Sequence, residues 1–235
     1  MIGDPKPDPL LLLFDIDGTL LQRASTEHAR AIVEAAQEVH GISDLGSHRV
    51  EAAGRTDLAI ARSMLLAAGV AADEIDARAG EVATRAVVAY AELCPADLSP
   101  RLAPGIVELL DALAERPDAF TLSLVTGNLE PVARLKLDRA GIGHHFPADQ
   151  GGFGSDHHRR AELPPIARAR MSSPPWPRER TVVIGDTPRD IACARADGVR
   201  VAAVATGPFA VTELADADAV ADDARSLLPV LEDWL

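Results

Sequence analysis

Apolar positions along the chain alternate between short continuous runs and longer stretches in which they recur every three or four residues. Short runs bounded by Gly, Asp or Asn are typical of buried strands, and the longer spacing is typical of helices. The predicted strands are residues 10–14, 120–125, 181–184, 200–205 and 217–221. Strands that alternate with helices predict an α/β fold, with a parallel sheet flanked by helices.

The first two predicted strands are separated by a long stretch that carries only helical spacing. One predicted helix ends at Gly41, a second begins with Thr56 as its cap, and a third begins with Asp73 as its cap. This stretch is too long for a loop, so it predicts a second, helical domain. The predicted division is a core of residues 1–21 and 100–235 and a cap of residues 22–99.

Polar residues follow the first three predicted strands where each one ends. Asp15 and Asp17 follow the first strand, Asn128 follows the second, and Asp186 follows the third. Side chains two residues apart on extended backbone point the same way, so Asp15 and Asp17 are expected to converge. Two carboxylates that close repel each other unless a cation lies between them, which predicts a metal ion. The alternative is an ordinary solvated turn, because Asp and Gly are common in turns.

Composition and charge limit the classes of partner. The chain has 235 residues, 47% hydrophobic residues and a formal net charge of −13. Such an acidic surface repels nucleic acid and anionic lipid, so neither is expected as a partner. A phosphorylated small molecule remains compatible where a metal reverses the local charge. Cys94 and Cys193 follow no metal-ligand spacing and are expected to be buried, inert thiols.

The amino-terminal residues do not resemble a signal peptide. Residues 1–9 contain acidic residues and three prolines rather than a basic start, and the apolar run that follows is too short to span a bilayer. We therefore expect a cytoplasmic protein.

Three motifs together resemble the haloacid dehalogenase superfamily, in its phosphatase branch. They are Asp15-Ile16-Asp17-Gly18-Thr19, the strand end Val125-Thr126-Gly127-Asn128, and Val183-Ile184-Gly185-Asp186 with Asp190 four residues later. The chain looks most like the phosphoglycolate phosphatases and β-phosphoglucomutases, which carry a helical cap at this position. The resemblance implies a Rossmann-like parallel sheet flanked by helices with an inserted α-helical cap domain.

The resemblance also implies roles for the four aspartates. Asp15 would be the nucleophile that forms an aspartyl-phosphate, and Asp17 the general acid and then the general base. Asp15, the backbone carbonyl of Asp17 and Asp186 would hold Mg²⁺, and Asp190 would brace the metal site. The chemistry of Mg²⁺, which prefers a few carboxylate oxygens, agrees with this assignment.

Further residues are implied to contact the substrate. Thr126 would offer its hydroxyl to the transferring phosphoryl group, together with backbone groups at Gly127 and Asn128. In the cap, Arg55 would meet a second anionic group of the substrate, or it would be a solvated residue in the turn that begins a helix. None of the seven histidines has an acidic partner at ligand spacing, so solvated or capping roles are expected for them.

One position departs from the family pattern. These phosphatases use a lysine at the start of the helix before the last motif, and this chain has none there. Arg160 lies at about the right place, and Lys136, on the helix expected to begin near Glu130, is the other candidate. The sequence favours Arg160, since its fork suits phosphate and Lys136 would have to reach back along its helix. The remaining one of the two is expected to be a solvated charge.

These observations predict a Mg²⁺-dependent phosphatase that hydrolyses a small phosphorylated metabolite, such as a phosphoglycolate-like phosphomonoester. The alternatives are a haloacid dehalogenase-type hydrolase, a β-phosphoglucomutase-like phosphotransferase and a non-catalytic binding module. The second acid, Asp17, argues against the dehalogenase, and the cost of burying unused carboxylates argues against the binding module. The substrate and the oligomeric state are left open, since the cap sets specificity.

Overall fold

The fold was taken from a computed structural model, which describes residues 9–45 and 50–235. Residues 1–8, on which the interpretation of the amino terminus rests, and His48 lie outside the described residues. The strands are β1 (Leu10–Phe14), β2 (Phe120–Thr126), β3 (Gly152–Phe153), β4 (Thr181–Gly185), β5 (Arg200–Val204) and β6 (Ala219–Ala221). The helices are α1 (Thr26–His40), α2 (Asp57–Ala67), α3 (Ala72–Leu93), α4 (Ile106–Ala114), α5 (Glu130–Arg139), α6 (Leu163–Met171), α7 (Pro188–Asp197) and α8 (Leu227–Asp233).

The strands form one parallel sheet in the order β3-β2-β1-β4-β5-β6. The predicted α/β fold class is therefore confirmed, and the five predicted strands end within two residues of the observed bounds. Because β1 lies between β2 and β4, the three strands that carry the polar motifs are neighbours.

The two faces of the sheet are covered by separate apolar clusters. Successive residues of β1 alternate between them, with Leu12 in the cluster on one face and Leu13 in the cluster on the other. All five residues of β1 are buried. Burial on both faces explains why this strand is a continuous apolar run rather than an alternating one.

Strand β3 is not among the five strands predicted from the sequence. Gly152 and Phe153 pair in parallel with Val125 and Thr126 at the sheet edge. Phe153 is fully buried, and Gly152 lies so close to α6 that a Cβ there would be 2.3 Å from the carbonyl oxygen of Leu163. A strand of two residues is too short to show a hydrophobic period, so the pattern could not indicate it.

Helices α1 to α3 follow the predicted helical stretch. Thr56 caps α2 as predicted, since its hydroxyl accepts a hydrogen bond from the backbone of Ala59. The prediction that Asp73 caps α3 is wrong, because Ala71 precedes the helix and Asp73 lies in its first turn. An acidic side chain still stabilises that end of the helix through the dipole.

The helical stretch shares its apolar core with the rest of the chain. Ile32 and Leu65 of this stretch belong to the same buried cluster as Leu20 and Leu129. The boundaries drawn at residues 22 and 99 remain a prediction. Within the described residues, no helix combines the length and apolar character needed to cross a membrane.

Both cysteines are free and buried, as expected. Burial raises the pKa of the Cys193 thiol to about 12. A thiol with so high a pKa stays protonated and unreactive at neutral pH.

Candidate active site

The candidate site lies where β2, β1 and β4 end side by side. Asp15 follows β1, Thr126 ends β2 and Asp186 follows β4. A cavity of about 770 Å³ opens at this edge of the sheet, and Asp15, Asp17 and Asp186 are among the residues that line it. This is the position at which open parallel sheets bind ligands.

Three buried carboxylates meet in this site. Asp15, Asp186 and Asp190 each offer an oxygen within 4.8 Å of the other two. Arg160 contacts two of them, with its Nη2 3.0 Å from Oδ1 of Asp15 and hydrogen-bonded to Oδ1 of Asp190. Three formal negative charges and one positive charge leave the group with a formal charge of −2 when every carboxylate is ionised.

The pKa values of the cluster reflect this imbalance. Burial raises the pKa of Asp15 to about 6, although Arg160 opposes the rise. Burial, followed by the charges of Asp190 and Asp15, raises the pKa of Asp186 to about 9. Without a further cation, the folded protein therefore favours the protonated, neutral form of Asp186 at pH 7.

Asp186 has an oxygen that suits a metal ion. Its Oδ1 accepts the hydroxyl of Thr19 at 3.0 Å, whereas its buried Oδ2 has no hydrogen-bond partner among the described residues. Gly18 has a φ of 95°, and a Cβ at that position would lie 2.1 Å from this Oδ2, so only glycine fits there. An unpartnered carboxylate oxygen beside other carboxylates is the donor set that a hard divalent cation prefers. The residues therefore fit Mg²⁺, although the identity of the metal remains a prediction.

Asp190 holds the first turn of α7 and Arg160 together. Its Oδ2 accepts hydrogen bonds from the backbone and hydroxyl of Thr187, at 3.0 and 2.7 Å. The bond from the Thr187 backbone, together with the Asp190 N–H that donates to the Thr187 hydroxyl at 3.2 Å, forms a capping box at the start of α7. The other oxygen binds Arg160, so Asp190 is placed where it could brace the site.

Asp17 faces a different set of partners from Asp15. Lys136 Nζ lies 2.6 and 2.7 Å from its two carboxylate oxygens, and Asn128 Nδ2 donates to Oδ2 at 2.9 Å. Burial would raise the pKa of Asp17, but Lys136 and His28 outweigh it and hold the pKa below its ordinary value. The two carboxylates line one cavity, but each is balanced by its own cation rather than by one shared between them.

The expectation that either Arg160 or Lys136 would be a solvated charge is wrong. Lys136 is 0% exposed and Arg160 is 9% exposed. Lys136 lies on the buried side of α5 beside Val132, Ala133 and Leu137. Its stem spans the distance along the helix, so its ammonium group reaches Asp17 while Arg160 reaches Asp15.

His28 and Asp57 are further residues of the site that sequence reasoning missed. The prediction of a solvated or capping role for His28 is wrong, because its Nε2 is 2.9 Å from Oδ2 of Asp57 and its Nδ1 is 3.1 Å from Lys136 Nζ. The same Asp57 oxygen accepts the backbone N–H of Leu129 at 2.8 Å. The sequence signal for this network was Lys136, the one charged residue on the buried face of α5.

The segment that follows β2 supports the turn before α2. The hydroxyl of Thr126, which is fully buried, accepts the backbone N–H of Asn128 at 3.3 Å. The carbonyl of Gly127 accepts the backbone N–H of Asp57 at 2.9 Å, and a Cβ on Gly127 would lie 2.1 Å from the carbonyl oxygen of Arg55. Gly127 and Asn128 line the cavity. Contacts of this segment with a phosphoryl group remain a prediction.

Arg55 also lines the cavity, but its guanidinium group is bound to α2, the helix that begins two residues later. Nη2 donates to the carbonyl of Ala59 at 2.9 Å and to the hydroxyl of Ser63 at 2.6 Å. A second anionic group of a substrate would have to compete with these bonds. A role of Arg55 in binding the substrate remains a prediction.

Fold and site together define a class of protein. A model of the haloacid dehalogenase-like hydrolase family matches residues 12–195, a range that includes all four aspartates of the site. The chain belongs to this family. The resemblance inferred from the three motifs is therefore confirmed, as is the expectation of an enzyme of this type.

Relatives within the family carry different names. The chain is 32% identical over 213 residues to the tyrosine-protein kinase PtkA of Mycobacterium tuberculosis. This alignment covers 87% of this chain but only 65% of that relative's length. It is 29% identical over 233 residues to the phosphoglycolate phosphatase of Rhodospirillum rubrum, with 97% and 91% of the two chains covered. Among solved structures, CbbY from Rhodobacter sphaeroides in complex with phosphate has a TM-score of 0.67 at 23% identity, covering 95% of this chain and 99% of that one. At that identity the structural likeness supports the fold alone.

Proposed function

We propose that this chain is a Mg²⁺-dependent phosphatase that hydrolyses a small phosphate monoester through an aspartyl-phosphate on Asp15. Family membership and the named phosphatase among its relatives support the reaction class. The observation that carries the proposal is the charge of the buried cluster. Asp15, Asp186 and Asp190 exceed Arg160 by two negative charges, which one divalent cation would balance.

Asp15 is the residue placed to attack phosphorus. One of its carboxylate oxygens contacts Arg160, which fixes the orientation of the carboxyl group. The other oxygen forms a bond to phosphorus while the bond between phosphorus and the ester oxygen breaks. Mg²⁺, held by Asp15, Asp186 and the backbone carbonyl of Asp17, would supply positive charge that lets an anionic nucleophile approach an anionic phosphate.

Asp17 handles the protons on both sides of this step. Lys136 and His28 favour its ionised form before the substrate binds. The arrival of a phosphate dianion raises the pKa of a neighbouring carboxyl group, so Asp17 gains the proton that it then donates to the leaving oxygen. Once the alcohol has left, the ionised Asp17 accepts a proton from the water that attacks phosphorus. This step releases inorganic phosphate and restores Asp15.

Release of inorganic phosphate tests the proposal. We expect the protein to hydrolyse an aryl phosphate with millimolar Mg²⁺ and to lose this activity in excess chelator. Asp15→Asn, which lacks the nucleophile, should show no turnover. The matched control Asp149→Asn, at an exposed position, should behave like the wild type. Full activity in chelator, or in Asp15→Asn, would refute the proposal.

The alternatives predict other products. Release of halide from a 2-haloacid without added metal would favour the dehalogenase. Transfer of the phosphoryl group to a second hydroxyl of a sugar phosphate, faster than its release to water, would favour the β-phosphoglucomutase-like transferase. Phosphorylation of a tyrosine side chain would correspond to the activity for which the mycobacterial relative is named. The contacts of the described residues favour none of these over hydrolysis.

A further inference from the structure

One part of the cavity lining is apolar. The side chains that form it come from α1 and α2 and from the segment between them: Ala29, Ile32, Val33, Val50, Ile60 and Met64. Ile32 and Val33 follow Ala29 by three and four residues, and Met64 follows Ile60 by four. Each helix therefore presents one apolar face to the same space.

The charged side chains on this side of the cavity are mostly occupied. The segment from residue 22 to residue 57 contributes Arg23, His28, Arg55 and Asp57 to the lining. His28 and Asp57 bind each other, and Nη2 of Arg55 binds Ala59 and Ser63. Among the described residues of this segment that line the cavity, Arg23 is the remaining cation, and it is exposed to solvent.

We infer that the substrate is a phosphate monoester of a bulky apolar alcohol, alkyl or aryl, rather than a short ester with a second anionic group. The inference rests on the proposed phosphatase, because Asp15 must receive the phosphate. With the phosphoryl group at Asp15, the alcohol extends between the apolar faces of α1 and α2. The volume of about 770 Å³ is in the range of pockets that bury ligands much larger than phosphoglycolate.

This inference differs from the sequence-based expectation of a phosphoglycolate-like substrate. A carboxylate in place of the apolar group would lose its hydration against this wall, where Nη2 of Arg55 is already bound to Ala59 and Ser63. Each additional methylene buried there would instead strengthen binding by about fourfold.

A series of n-alkyl phosphates tests this inference, because the leaving groups differ in length but hardly in acidity. We expect kcat/KM with Mg²⁺ to rise by at least about tenfold from ethyl to hexyl phosphate. The kcat/KM for hexyl phosphate should also exceed that for phosphoglycolate. Ile60→Asn should lower kcat/KM for hexyl phosphate by about fivefold or more, with less than about a twofold change for ethyl phosphate. Leu66→Asn, on the same helix but 41% exposed and outside the cavity lining, is the matched control and should change neither value.

Binding of ethyl- and hexylphosphonate, measured by calorimetry with Mg²⁺, separates the inference from the proposed function. The carbon–phosphorus bond is not hydrolysed, so binding is measured whether or not the protein is a phosphatase. Tighter binding of hexylphosphonate without any phosphate release would overturn the proposed function and keep the apolar site. Phosphate release with no dependence on chain length in either measurement would overturn the inference and keep the phosphatase. A preference for phosphoglycolate that Arg23→Gln removes would also overturn it, because the site would then recognise a second anion.

Discussion

Asp15 and Asp17 are two residues apart, yet their carboxylates have different counter-charges. Arg160 is bound to Asp15 and Lys136 to Asp17. A nucleophile and a proton-transfer group need opposite environments, because the first must stay ionised and the second must change its charge. Arg160 opposes the rise that burial causes in the pKa of Asp15, whereas Lys136 helps to hold the pKa of Asp17 low until a substrate anion raises it.

Arg160 and its neighbour Arg159 provide a matched test of the first pair. Arg160→Ala should lower kcat/KM on phosphate esters by at least about tenfold, because Asp15 and Asp190 lose their shared cation. Arg159→Ala should be nearly silent, since the Arg159 side chain is 65% exposed and pairs with Glu162. Steady-state kinetics of the two variants decide this prediction. A severe Lys136→Ala variant beside an Arg160→Ala variant with wild-type kinetics would assign the essential cation to α5 instead.

Asp17→Asn tests the proton-transfer role with two leaving groups. The variant keeps the nucleophile but lacks a proton donor, so hydrolysis of an alkyl phosphate should slow by roughly 10²–10⁴-fold. Hydrolysis of nitrophenyl phosphate should slow much less, because nitrophenolate leaves without a proton. Rates of phosphate release for the two esters check this. Equal losses on both would show that Asp17 is not the acid.

The sequence could predict which residues enter the site but not all the contacts between them. Asp15, Asp17 and Asp186 follow strands whose apolar runs are clear, and parallel strands bring their ends together. The partner of Asp17 depends on where the Lys136 stem runs along α5, which a linear pattern does not contain. The His28–Asp57 contact joins α1 to the start of α2, 29 residues away, and neither residue has a periodic signal.

At the scale of elements, an ion pair ties α1 to the segment between α3 and α4. Both oxygens of Glu27, in the first turn of α1, accept hydrogen bonds from Arg101 at 2.7 Å. These hydrogen bonds lower the pKa of Glu27 from 4.5 to about 2. A depressed carboxyl pKa contributes stability that is fully present above pH 4.5 and is lost as the pH falls towards 2.

Glu27→Gln should therefore lower the free energy of unfolding at pH 7 by about 1 kcal/mol, a value reduced for the partial exposure of the pair. The wild type loses the contribution of this ion pair in acid. The difference between the free energies of unfolding of the two proteins should therefore narrow as the pH falls from 4.5 towards 2. Urea denaturation at pH 7 and at pH 3.5 measures it. Glu34→Gln, on the same helix in a more exposed pair with Arg30, is the control. A difference that is constant with pH would contradict the assignment.

The elements were predictable in proportion to their length and burial. β1 is five residues buried on both faces, and its pattern admitted no other interpretation. β3 has two residues, and its pairing depends on the close approach of Gly152 to α6, a tertiary contact with no local signal. The start of α3 was misplaced at Asp73 because acidic residues favour both the cap and the first turn.

At the scale of the whole molecule, the chain has a formal net charge of −13, and burial together with neighbouring carboxylates makes Asp15 and Asp186 costly to ionise. The raised pKa values of Asp15, about 6, and Asp186, about 9, mean that the folded protein binds protons more tightly than the unfolded chain. The metal-free protein should therefore lose stability as the pH rises from about 4 through these two values. A divalent cation binds the ionised carboxylates, so it should restore more stability at high pH than at low pH.

Thermal unfolding with and without millimolar Mg²⁺ measures this linkage independently of activity. We expect Mg²⁺ to raise Tm by at least about 2 °C at pH 8 and by less at pH 5.5, where protons compete more strongly with the metal for both Asp15 and Asp186. Asp186→Asn replaces a buried carboxylate by a neutral group, so it should raise the metal-free Tm at pH 8 and abolish the response to Mg²⁺. Asp233→Asn makes the same charge change at an exposed position and should keep the response. A Mg²⁺ effect that is equal at both pH values, or that survives in Asp186→Asn, would place the metal away from the carboxylates at the ends of β1 and β4.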